Sequence, residues 1–207
     1  QKQPAEALRV WREIAAGPRR TAESLASVAR LCSKFGYRAE AADLIREACE
    51  LSTDDFALRL TAAEYLSAVQ NFDKSLALLM DAERLAETEE ERDVVIRNRL
   101  DVLRESGKLQ AETAAMAARI ATLAEATEQD WILLARYYEA TEAIDEATAA
   151  ADRALRINER SIPALALAAR LREAAGDYAK SAEYSRQLAI TDRRSATTHL
   201  KNVATLE

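Results

Sequence analysis

An all-α fold made of repeated helical hairpins is what this sequence predicts. Two observations carry that prediction. The first is composition: 49% of the residues are hydrophobic and 31% charged, with only 4 Gly and 3 Pro in 207 residues. So few helix breakers among so much Ala, Leu, Glu and Arg favour helix nearly throughout. Runs of β-branched residues alternating with polar ones are absent, so no sheet is expected. The second is an internal period. Small residues recur seven apart as Ala41/Ala48, Ser75/Ala82, Ala111/Ala118 and Ala147/Ala154, and the first members step by 34, 36 and 36 residues. The comb extends backward to Ala7/Ile14 and forward to Ser181/Leu188.

Two further combs run in phase with it. Ala29, Ala63, Ala135 and Ala169 lie about twelve residues before each pair, with Arg99 or Leu100 in that place in the divergent unit. Gly36, Gly107 and Gly176 mark turns, and Gln70-Asn71 and Thr141-Glu142 fill the same slot elsewhere. Each unit therefore reads as helix, short turn, helix, short turn. Small residues are needed where two helices cross closely, because a larger side chain forces the axes apart. Gly or a polar pair closes the turn.

The elements follow in order. Residues 4–16 are in register with second helices. Full units are expected at 22–55, 56–89, 92–127, 128–161 and 162–195. Residues 196–207 are in register with a first helix and form a partial unit or a cap. Thr88 with Glu91 and Thr127 with Asp130 have the capping-box pattern. Pro163 falls in a first helical turn, where its missing N–H costs little. The acid clusters Asp54-Asp55 and Glu89 to Glu91 fall at helix starts, where carboxylates favour the positive end of the helix dipole. Helices that begin and end in half units suggest a piece of a longer array, since arrays use polar caps at both ends.

This pattern resembles the tetratricopeptide repeat family. Trp131, Leu134, Ala135 and Tyr138 match its first-helix signature, with Ala in place of the family's Gly. Ala147 and Ala154 match the second helix. Leu165, Ala168, Ala169, the Gly176–Tyr178 stretch, Ser181 and Leu188 match again one unit later. The resemblance covers essentially the whole chain. It implies a right-handed α–α superhelix, a solenoid, whose first helices line a concave groove. On that reading Trp131, Leu134 and Tyr138 share one packed face, and Tyr137 points elsewhere, between repeats. The unit around 93–123 departs most, so an altered helix-pair angle or a longer turn is expected there.

The same resemblance places Arg30, Lys34, Leu60, Glu64, Arg97, Asp101, Arg104, Ile132, Arg136, Ala166 and Arg170 toward the groove. Arg97, Arg136 and Arg170 recur near matching slots. A ladder of guanidinium groups would receive carboxylates through charge-assisted, often bidentate bonds, which points to an acidic peptide. The alternative is an ordinary solvated surface with arginines paired to acids such as Glu139 and Glu173. One subtype of the family grips a peptide's C-terminal carboxylate with a lysine–asparagine clamp. Arg30 stands in the Asn slot here, which speaks against that clamp.

No catalytic constellation is visible. His199 is the one histidine, with no ligand or nucleophile pattern around it. Phosphate-cradling Gly loops and hydrolase motifs are missing. No cofactor is therefore expected. Cys32 and Cys49 are too far apart for CxxC chemistry and read as small core residues, with a disulfide joining the two helices as the minor alternative, so they lean weakly toward a reducing compartment. A cytoplasmic setting fits that, or a periplasmic one given an upstream signal. The formal charge of −6 and pI near 5.1 lack the positive field that phosphates require. No apolar run has the length of a membrane span. The expected function is a non-catalytic scaffold binding a peptide or partner helix. The alternatives are an assembly array in envelope export or secretion, and a platform for self-association.

Overall fold

A computed structural model describes residues 3–17 and 20–206. They form helices and turns with no strand among the described residues. The helices are α1 (Gln3–Ala16), α2 (Ala22–Lys34), α3 (Arg38–Leu51), α4 (Phe56–Ala68), α5 (Phe72–Leu85), α6 (Glu89–Glu105), α7 (Leu109–Thr122), α8 (Glu128–Ala140), α9 (Ile144–Ile157), α10 (Ile162–Ala174), α11 (Tyr178–Thr191) and α12 (Ala196–Leu206). They divide into two compact units, Gln1–Gly107 and Lys108–Glu207.

The regularity is numerical. First helices α2, α4, α8 and α10 all have 13 residues, and second helices α3, α5, α9 and α11 all have 14. Their hairpin turns are three residues long, and each turn holds one residue at positive φ: Gly36, Gln70, Glu142 or Gly176. That left-handed residue lets the next N–H reach back to the closing turn of the helix. Tyr37 N–H donates to the Cys32 carbonyl and Asn71 N–H to Leu66, each at 2.8 Å. Ala143 N–H reaches Tyr138 at 2.9 Å and Asp177 N–H reaches Arg172 at 2.8 Å. Gly36 and Gly176 meet the positive φ without strain; Gln70 and Glu142 meet it at a cost.

Polar caps start the first helices. Thr21 with Ser24, Thr88 with Glu91 and Thr127 with Asp130 form reciprocal capping boxes. Asp55 accepts from Leu58 N–H at 2.9 Å, and Ser161 accepts from Ala164 N–H at 3.2 Å. Backbone Thr88 N–H, with that of Glu87, holds the Glu91 carboxyl below its ordinary range. The Thr127 hydroxyl and N–H do the same for Asp130.

In the first unit, Leu25, Ala29, Cys32, Ala41, Ile45 and Ala48 form the centre of one apolar cluster. Leu79, Ala82, Val95 and Val102 form another. Burying each large aliphatic chain contributes about 1.5–3 kcal/mol. The crossing of α4 and α5 is close enough for the buried Ser75 hydroxyl to donate to the Ala63 carbonyl at 2.7 Å. Trp11 of α1 stacks on Phe35 with ring centroids 5.2 Å apart. Arg59 stands where α2 and α10 carry Leu25 and Leu165, as the fourth residue of its helix. It is buried, and its guanidinium donates to the Ser52 carbonyl at 3.3 Å, the exposed end of α3. Cys49 is also buried, which pushes its thiol up to about 11. Both cysteines are free.

In the second unit, Ala147, Ala150, Ala151 and Ala154 are the buried stripe of α9. Asp152 ties three helices together: it accepts from Arg172 of α10 at 2.6 Å and from Tyr184 of α11 at 3.1 Å. Burial, with Asp152 alongside, raises the Tyr184 hydroxyl.

Two expectations are corrected. Ala111 and Ala118 are exposed; α7 buries Leu109, Thr113, Met116 and Ile120 instead. These larger side chains make their own i, i+4, i+7, i+11 stripe, and their burial outweighs that of two alanines. Second, Tyr137 is buried at 2% exposure, while Trp131 and Tyr138 are half-buried. Helix α8 packs on α7, α9 and α10, so it is covered on more than the one predicted face. Arg153 of α9 lies over the Trp131 ring, 4.9 Å from its centroid. In the divergent unit the turn before α7 has the usual three residues, but the turn after α7, residues 123–127, has five, against three or four after α3, α5, α9 and α11, so the longer turn expected there is present; α6 is also longer, at 17 residues. The side chain of Ala7, placed in the backward extension of the comb, lies outside the described residues, while Ile14 is exposed. Beyond these, Ser181 and Leu188 are buried as the comb requires.

Candidate functional site

Two clefts in the first unit open between consecutive first helices, at different levels along them. One lies between α2 and α4, with Ile45 of α3 at its floor; the other lies between α4 and α6, with Leu79 of α5 at its floor. Ile45 and Leu79 are each the eighth residue of their helix. The first cleft uses mainly the first halves of α2 and α4 with the turn before α4, and the second uses the last turns of α4 and α6; they share the levels of Ile45 and Leu79, Arg30 and Glu64, and Thr61 and Asn98.

The walls differ. The α2–α4 cleft, about 350 Å³, carries Glu23, Arg30 and Asp55. Asp55 is occupied as the cap of α4. The α4–α6 cleft, about 260 Å³, carries Glu64, Asn98, Asp101 and Glu105 around a floor of Ala63, Ala68, Leu79 and Val102. No basic side chain lines it. Glu105 accepts from the Ser67 hydroxyl at 2.7 Å. Asp101 pairs with Arg104 at 2.7 Å, with both side chains more than half exposed. Glu64 and the Asn98 amide make no hydrogen bond or ion pair among the described residues.

The residues predicted for the groove are distributed as follows. Arg30, Glu64, Asp101, Arg136 and Arg170 hold one equivalent position, four residues before the end of their helices. Arg97 is one turn earlier, so it is not the counterpart of Arg136 and Arg170; Asp101 is. The three arginines are also divided between the units, Arg97 in the first and Arg136 and Arg170 in the second. Arg97 is exposed and bonds the Asp93 carbonyl of its own helix at 3.4 Å. Arg170 pairs with Glu139 at 2.6 Å across to α8. Arg136 is half-buried, and Lys34 and Ala166 are exposed. Ile132 is buried, at 3% exposure. Helix α8 is in contact with α7, α9 and α10. Leu60 is half-buried against the Leu79 cluster.

Asn98, Glu105 and Ser67 were not among the residues predicted from sequence. The signal was present: Asn98, Asp101 and Glu105 are spaced three and four apart on α6, one face of one helix.

Catalytic groups do not assemble around either cleft. His199 lies 3.3 Å from Asp192 beside the start of α12. Ser195 and His199 hold the Asp192 carboxyl below its ordinary range. Among the described residues no group of three or more His, Cys, Asp or Glu side chains could hold a metal ion. No described helix is long and apolar enough to cross a membrane.

No family model matches the chain. No curated protein matches it either. Among solved structures it is similar to a tetratricopeptide repeat protein from Parabacteroides merdae ATCC 43184, at 16% identity and TM-score 0.45, over 89% of this chain and 72% of that one. It is similar to YrrB, described as a tetratricopeptide repeat protein with an unusual peptide-binding site, at 12% and 0.44, over 92% and 97%. It is also similar to residues 41 to the end of MamA from Desulfovibrio magneticus RS-1, at 15% and 0.43, over 84% and 96%. The hairpins α2–α3, α4–α5, α8–α9 and α10–α11, 13- and 14-residue helices joined by a three-residue turn with one left-handed residue, give the described residues an all-α fold of repeated helical hairpins.

Proposed function

We propose that this chain is a non-catalytic protein-interaction scaffold that holds a peptide or partner helix against the first helices of its repeats. The docking site in the first unit is the α4–α6 cleft. One observation supports this most: an apolar floor beside an amide, Asn98, and a carboxylate, Glu64, that have no polar partner among the described residues. An amide donates and accepts at once, as a peptide backbone does. A preformed groove binds a segment without much reorganisation.

The test is a photo-crosslinking amino acid at position 67, on the cleft wall, and a second at exposed position 178 in the other unit. Partners captured in a native lysate through position 67 support groove docking. Partners captured only through position 178 overturn it.

An acidic partner, the reading suggested by the arginines, would engage Arg136 and Arg170 in the second unit. It would have to displace Glu139 from Arg170. Self-association is the second reading, favoured by exposed apolar side chains at Val10 and Ile14 of α1 and at Ile190 and Leu200 of α11 and α12. A monomer in sedimentation at high concentration would remove it.

A further inference from the structure

We infer that the α4–α6 cleft selects a cationic segment: a short stretch with a small apolar anchor flanked by lysine or arginine. This rests on the first-helix face being the docking face. It goes beyond that reading by fixing the charge of the partner.

The inference comes from the charge that lines the α4–α6 cleft, set against that of the α2–α4 cleft. Each lining includes one aliphatic side chain from a second helix, Leu79 and Ile45. At the one charged level the two clefts share, the α2–α4 cleft has Arg30 and the α4–α6 cleft has Glu64. The lining of the α2–α4 cleft therefore includes a cation. The α4–α6 cleft holds three carboxylates and no cation on its walls. Only Asp101 has a basic neighbour, Arg104, and that pair is solvated. A solvated pair of this kind binds weakly and gives way to a better partner. Glu105 satisfies one oxygen with Ser67, and Glu64 satisfies none among the described residues.

The apolar floor matters as much as the rim. Ala63, Ala68, Leu79 and Val102 leave room for a side chain of modest size. An apolar anchor seated there lowers the local dielectric and strengthens each charge pair at the rim. Negative charge on a partner would meet Glu64, Asp101 and Glu105 together and be rejected. Asn98, between the carboxylates, is placed to hold the backbone of an extended segment.

The experiment uses the whole chain and three matched sets of short peptides. Each set has a centre randomised over Ala, Leu and Ser, flanked by Lys, by Ser or by Glu. Binding is read from backbone amide resonances of α4 and α6 in ¹⁵N spectra. Two variants accompany it. The triple change Glu64→Gln, Asp101→Asn, Glu105→Gln removes charge at constant shape. Ala68→Trp, at the exposed edge of the apolar floor, fills the cleft.

The expected result is that the Lys-flanked set shifts resonances around Asn98. The triple variant weakens it by about tenfold, and about 0.5 M salt weakens it similarly. Ala68→Trp abolishes it. If Ser- or Glu-flanked peptides bind the cleft as well, and Ala68→Trp abolishes that too, the charge selection is overturned and the docking face stands. If no set shifts these resonances, or Ala68→Trp leaves binding intact, both readings are overturned. Shifts spread equally over other acidic stretches such as Glu89 to Glu91 would reduce the effect to general attraction by an acidic chain, and would also overturn the inference.

Discussion

Helices α8 and α9 obey the repeat, and the stretch α6–α7 does not; the contrast shows which sequence signals control a hairpin. Helix α9 offers few large apolar residues near its middle, so Ala147, Ala150, Ala151 and Ala154 are its packed stripe. Helix α7 has similar alanines but also Leu109, Met116 and Ile120, and the larger side chains take the buried face. Helix α6 is 17 residues long, ten of them charged, and carries Leu100 where α8 carries Ala135. The turns differ too. The residue after the left-handed position has ψ of 61 to 70° in four turns, at Tyr37, Asn71, Ala143 and Asp177. At Lys108 it has ψ −5°. The boundary between the two units falls at that residue.

The comparison can be broken most strongly inside α8. Tyr137→Ala empties a fully packed site and should cost about 3–5 kcal/mol. Tyr138→Ala, next to it and half-buried, should cost clearly less. Chemical denaturation of both variants checks this; equal losses would mean that the face of α8 is assigned wrongly. Next in size is overpacking. Ala147→Trp should cost about 1–3 kcal/mol or more, because the α8–α9 crossing has no space for an indole. Ala111→Trp, on the exposed side of α7, should stay within about 0.5 kcal/mol. A large loss at Ala111 would restore the register that the small-residue comb predicted for α7.

The turns sharpen the comparison at smaller scale. Glu142 has φ 63° and Gly107 φ 70°. Glu142→Gly relieves a left-handed strain of about 1–2 kcal/mol and gives back part of it through the more flexible unfolded chain. The net expectation is a gain of roughly 0.5 kcal/mol. Gly107→Ala should lose about 1 kcal/mol by conformation alone, since an added Cβ there meets nothing within 4 Å. Melting temperatures that moved the other way at either site would contradict the turn geometry.

How much of this was legible in sequence follows from the same physics. The combs found the hairpins because breakers and crossings constrain residue size locally. Gly36, Gly176 and the Gln70 and Glu142 slots sit where the turns are. The combs failed at Ala111 and Ala118 because residue size at a crossing is a relative matter, settled against neighbouring Leu109, Met116 and Ile120. The family resemblance placed Ile132 toward a groove, and a slot rule alone does not show that this side chain is buried. The cleft residues Asn98 and Glu105 were missed for a related reason. A family slot names one residue per helix, whereas a cleft wall uses a whole face across two turns.

The smallest effect expected is one of pH, and it separates the capped starts of α6 and α8 from the rest. Glu91 and Asp130 are held below their ordinary range by N–H and hydroxyl groups that bond the charged form. A carboxyl lowered on folding adds stability that is fully present above its unfolded pKa, about 4.3 for Glu and 3.9 for Asp. That stability is lost as pH falls through the lower folded values. Between pH 7 and 5 these two groups should therefore contribute no slope, and below about pH 4 they should contribute a falling one. Glu91→Gln keeps an oxygen that can accept the Thr88 and Glu87 N–H bonds but cannot titrate. Denaturation of this variant beside the parent at pH 7 and about pH 3 should show a smaller acid loss in the variant. An acid loss identical in the two proteins would mean that the Thr88 box contributes nothing beyond what solvent offers the carboxylate. A flatter profile would assign part of the acid sensitivity to the start of α6, the helix that departs most from the repeat.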